Sequence, residues 1–102
     1  LQALQRFRSA MQLQEADRRN GEIDAVRGML FEALADYTNP RLLEETSVAG
    51  QIRRLECAWG IEQAIVVTYQ VQGEISAVSD RLSQFVALEW TLNQEDCKVG
   101  NE

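Results

Sequence analysis

"AIVVTYQVQGEISAVS", residues 64–79, is the stretch on which the architecture turns. Val66, Val67, Thr68, Tyr69 and Val71 are residues that pleated strands favour, and Gln72-Gly73 is a candidate hairpin turn. Three observations speak against strands. Two-residue hairpins prefer Asn-Gly, Asp-Gly or a glycine in first position, and Gln72-Gly73 has none of these. The alternation through Val67, Tyr69 and Val71 slips on the far side, where Ala77 and Val78 fall on opposite faces. A lone two-stranded hairpin also needs a third strand, and no other segment reads as one.

The helical reading extends far beyond this window. Apolar residues recur at steps of three or four from Val48 through Ile52, Leu55, Ala58, Ile61 and Ile65. The series resumes with Val71, Ile75, Val78, Leu82, Phe85, Leu88 and Leu92, and only Thr68 interrupts it. Gly60 and Gly73 each cost a helix about 1 kcal/mol relative to alanine. Burying one residue such as Ile75 returns roughly 1.5–3 kcal/mol. Both arms of the window are therefore expected to be helical.

Upstream, Leu1, Leu4, Phe7 and Met11 keep helical spacing, with Arg18-Arg19 and Asn20-Gly21 reading as a C-terminal stop. Ile23, Val26, Leu30, Leu34 and Tyr37 form a second series, which Thr38-Asn39-Pro40 ends. Asn39 reads as a cap and Pro40 as the first residue of a short turn, with Leu42 and Leu43 plugging the open end of the hairpin. Thr46 and Ser47 are candidate caps of the long segment. The fold class expected is all-α. A helical hairpin, about 2–19 and 22–38, packs on a long C-terminal helix, about 48–92, with Gly60 and Gly73 as candidate break points. The result is bundle-like or coiled-coil-like. Residues 1–92 form one helical domain, and 93–102 read as a polar, frayed tail.

A continuous helix from Val48 to Leu92 is about 68 Å long, and each of the first two helices only about 26 Å. The short helices cannot cover its whole seam. Either the helix breaks and folds back, or the spare seam is buried against another chain. Ile75, Val78, Leu82, Phe85 and Leu92 are the residues expected in such a contact. Trp59, Tyr69 and Trp90 are more often core than a recognition box, and Trp90 lies off the main seam.

The composition excludes more than it assigns. The chain has no histidine, which removes His-based triads and His metal sites. Cys57 and Cys97 are too far apart in sequence for a CxxC motif, and are read as a partly buried thiol and an exposed one, not bonded to each other. No catalytic, cofactor-binding or metal-ligating set is expected, and no cofactor. The net charge of −6 argues against a nucleic-acid partner. The longest apolar run, Ala64 to Val67, is far short of the roughly 20 residues that a membrane helix needs. No membrane insertion is expected, and the chain is read as soluble and cytoplasmic. It begins at Leu1 rather than Met, as expected of a processed product or a segment of something longer.

Ten glutamines on polar faces, the over-long seam and the lack of catalytic residue types point to an association module. An adaptor, a scaffold segment and a small chaperone all have this character, with a second copy or a partner helix as occupant. The alternative is a small helical-bundle enzyme holding an anionic substrate with Arg27, Arg53 and Arg54.

Overall fold

The computed structural model describes residues 2–44 and 47–100, with side chains described for 2–42 and 47–94. Five helices follow one another: α1 (Gln2–Met11), α2 (Ala16–Tyr37), α3 (Pro40–Glu44), α4 (Val48–Val71) and α5 (Ile75–Gly100). Among the described residues there is no strand, and the chain is a helical bundle. The helices pack in a row: α1 lies on α2, α2 on α4, and α4 on α5, while α3 leans on α4. The result measures 53 × 25 × 20 Å.

Residues 64–79 are helical on both arms, with a turn between them. α4 ends in a Schellman motif. The Gly73 amide donates to the Gln70 carbonyl at 3.0 Å, and the Glu74 amide to the Tyr69 carbonyl at 3.1 Å. Gly73 has φ +73°, the left-handed region that costs other residues roughly 1–2 kcal/mol. Of the two candidate break points, Gly73 is the one used. Gly60 stays inside α4 because Leu55, Ala58, Ile65 and Val66 are all buried along that one unbroken helix. α5 therefore folds back on α4, and no single helix runs from 48 to 92.

The first hairpin turns earlier than its sequence suggests. α1 stops at Met11, the chain reverses through 12–15, and α2 runs straight through Asn20-Gly21. The expected boundaries of 2–19 and 22–38 are corrected accordingly. The apolar series of the first segment ends at Met11, so a helix continued to Arg19 would have had little to bury. Glu15 and Asp17 lie where acids favour a helix start. Arg19, now in the first turn of α2, donates to the Leu13 carbonyl across the bend at 3.4 Å. The Arg6–Glu22 pair at 3.0 Å ties α1 to α2 in this register.

The core lies between α2 and α4. Val26, Leu30 and Ile65 form its centre, and Ala3 and Phe7 of α1 pack against it. Ile23 and Ala58 are fully buried as well. The small connections follow their caps: Asn39 Oδ1 accepts from the Arg41 amide at 3.1 Å, and Ser47 Oγ from the Gly50 amide at 3.2 Å. Leu42 is half-buried, whereas the Leu43 side chain, its expected companion plug, and Thr46 lie outside the described residues. Through the expected tail the backbone stays helical to Gly100.

Candidate functional site

α4 has two long neighbours besides the short α3, and they are held differently. Toward α2, apolar packing surrounds a polar clamp centred on Arg27. Its Nε donates to Thr68 Oγ1 at 3.0 Å, Nη1 to Asp24 Oδ1 at 3.0 Å, and Nη2 to Gln72 Oε1. The guanidinium also lies 3.8 Å over the Tyr69 ring. Thr68, the residue that interrupts the apolar series, is 1% exposed and donates onward to the Ile65 carbonyl at 2.6 Å. Gln72 Nε2 completes the clamp on Asp24 Oδ1 at 2.9 Å. Every group in it has a partner within the fold.

Toward α5, the contact is the more extensive of the two along the chain, but it is polar at its centre. Arg81 makes a two-pronged bond to Glu62, Nε to Oε1 at 2.6 Å and Nη2 to Oε2 at 2.7 Å. The Glu62 side chain is 4% exposed, and that of Arg81 23%. Phe85 stacks on Trp59 with ring centroids 5.3 Å apart, and Arg81 lies 5.0 Å over the Phe31 ring of α2. No described residue of α5 is fully buried. An open cleft of about 320 Å³ separates α5 from the C-terminal half of α2, lined by Leu34, Thr38, Gln84 and Leu88 with the Glu62–Arg81 pair beside them. Its two charged groups neutralise each other.

The outer side of α5 is apolar and open. Ile75 is 81% exposed, Leu82 45%, Val86 59% and Trp90 65%. At spacings of seven, four and four, these residues share one side of the helix. Of the five residues expected in an interface, only Ile75 and Leu82 belong to this face. Val78 and Leu92 are half-buried, and Phe85 turns inward to Trp59. Val86 and Trp90 are the additions. Their signal in the sequence is the run of fours, Leu82, Val86, Trp90, lying beside the three-four seam. Val67 and Val71, one turn apart at the end of α4, are also more than a third exposed.

The arginines of the alternative reading do not converge. Arg27 is enclosed in its clamp near Thr68, while Arg54 donates to the Asp36 carbonyl at 2.6 Å and lies 5.2 Å from the Tyr37 ring. Positions 27 and 36 of α2 are about 14 Å apart along the helix, so two separate sites are served. Arg53 is exposed. Cys57 is also exposed and carries a free thiol, not the partly buried one expected. It is one residue from buried Ala58, which turns it about 100° away. The Cys97 side chain lies outside the described residues. Among the described residues no three acidic or cysteine side chains gather to hold a metal.

In this chain no described helix is long and apolar enough to cross a membrane. Comparison with protein families, with curated proteins and with solved structures finds no match to this chain.

Proposed function

We propose that this domain is an association module acting through the outer face of α5, most simply with a second copy of itself. The observation that supports the reading is the row of Ile75, Leu82, Val86 and Trp90 standing open on one side of a helix. Four such side chains present on the order of 400 Å² of apolar surface, a size at which a patch on a monomer is commonly functional. Two copies laid face to face bury this area without desolvating a charge, apart from Glu89 at the rim. Two-fold pairing is the commonest closed arrangement. A standard interface takes about 800 Å² from each partner, so the contact is expected to be modest in strength.

Sedimentation at high micromolar concentration tests this. The wild-type chain is expected to dimerise. A chain carrying Leu82→Asp with Val86→Asp, kept native throughout and never refolded, is expected to stay folded and lose association through this face, because neither side chain belongs to the core cluster. A wild-type chain that remains a monomer at these concentrations ends the self-association reading. An adaptor reading, with a partner's helix on the same face, would then need a partner whose binding the same two substitutions abolish.

A further inference from the structure

We propose that α5 is an exchangeable element: it leaves its own α4 and docks on the α4 of a second copy, with Gly73 as the hinge. Four features of the molecule carry this inference, and none of them uses the outer face of α5.

The first is connectivity. α5 rests on α4 and touches the rest of the chain otherwise only at its margin, as where Arg81 meets the Phe31 ring. Moving it breaks one interface, the broadest in the molecule, and re-forms it on the second copy, while the cluster of Val26, Leu30 and Ile65 keeps its partners from α1, α2 and α4. The second is the hinge. Only residues 72–74 separate α4 from α5, and Gly73 is the sole described residue with a positive φ. In the closed turn the Gly73 and Glu74 amides bond to the Gln70 and Tyr69 carbonyls respectively. Opening toward a continuous helix pairs the same two donors with the same two acceptors in the opposite order, so no backbone bond is lost.

The third is the sequence on either side of the turn. The three-four apolar series runs through it without a proline, and apart from Gly73 nothing there resists continued helix. The fourth is the contact itself. The Glu62–Arg81 pair and the Trp59–Phe85 stack join α4 to α5 by matched, directional contacts. These re-form unchanged between two chains, which is why exchange of an identical element is a low-cost route to a dimer and short hinges invite it.

Complementary charge reversal tests the exchange. One chain carries Glu62→Arg and the other Arg81→Glu, so each alone sets like charges against each other. After unfolding and refolding together, exchange gives a 1:1 heterodimer with the native pair at one junction and the reversed pair at the other. Native mass spectrometry should show that heterodimer, and its Tm should exceed that of either chain alone. A mixture that melts as two separate weakened monomers overturns the proposal.

Both chains should also carry Leu82→Asp and Val86→Asp, which remove outer-face association. A heterodimer that persists there is exchanged, and one that vanishes belongs to the outer face and overturns the exchange. Should either reversal prevent folding, Gly73→Ala in the outer-face double variant gives the second measurement. Alanine resists the left-handed turn and favours the open helix, so the monomer–dimer equilibrium should shift about fivefold or more toward dimer. A Gly73→Ala chain that is merely a less stable monomer rules the hinge out.

Discussion

The two sides of α4 show how one helix is held by two kinds of chemistry. On the α2 side the chain buries Ile23, Val26, Leu30 and Ile65 and seals them with the Arg27–Thr68–Gln72 clamp. On the α5 side no described α5 residue is fully buried, and half-buried side chains pack along α4 around one ion pair and one ring stack. Non-directional apolar burial makes a core that cannot be taken apart piecemeal. Directional contacts between two whole helices can be broken and remade as a unit. The difference places the fully buried core between α2 and α4, and leaves the outer face of α5 as the surface for the association proposed above.

Truncation on the α2 side of α4 should have the largest effect. Ile65→Ala should cost about 3–4 kcal/mol, because Ile65 has no exposed surface and its cavity would be walled by both helices. Chemical denaturation measures this directly. A loss below about 1 kcal/mol would mean that the α2–α4 side is not the better-packed one.

The ion pair should respond unequally according to which partner is removed. Arg81→Met leaves the Glu62 carboxylate, 4% exposed, without a partner, and should cost about 2–3 kcal/mol. Glu62→Gln leaves an arginine that still reaches water and can bond the new amide, so about 1 kcal/mol is expected. Equal losses in a urea titration would show that burial does not set the balance.

Leu82→Asp with Val86→Asp should cost the monomer about 1 kcal/mol, since Leu82 is partly covered and aspartate is a poorer helix former. Its main effect belongs to association, read by sedimentation. Unfolding of this variant in dilute solution would mean that the outer face of α5 is part of the monomer's own packing.

The smallest effect concerns the exposed Arg6–Glu22 pair, which joins α1 to α2. The hydrogen bond from Arg6, and then its charge, hold the Glu22 carboxyl below its usual range. A carboxyl depressed in the folded state adds stability above its unfolded pKa, and that contribution fades as pH falls through the lowered value. Stability of the wild type should therefore fall slightly further on acidification than that of Glu22→Gln. Parallel denaturation curves across the acid range would show the pair to be inert.

Much of this was legible along the chain. Helical spacing in 64–79, the caps at Asn39 and Ser47, and the stop before Pro40 are local matters of periodicity and hydrogen-bond supply, and they stand in the structure as the sequence implies. The first turn was not legible. Asn20-Gly21 has the composition of a helix end, but the register in which Phe7 meets the α2–α4 core drew the reversal back to 12–15. The candidate surface was half legible, since Ile75 and Leu82 share the spacing of inward residues and only packing shows which way each points.

By itself the sequence determined the helical class, the two glycines at which the long segment could break, and the absence of histidine chemistry, because these depend on residue type and spacing alone. The tertiary structure decided what depends on contacts between distant residues. Thr68, an interruption in the pattern, became a buried partner for Arg27, 41 residues away. Phe85 left the expected interface because Trp59 stood opposite it once Gly73 had turned the chain. Gly73 rather than Gly60 was the stop because a break at Gly60 would have divided the buried face that α4 presents to α2. A helix records its own periodicity, but which of its sides meets solvent is set by the neighbours that fold against it.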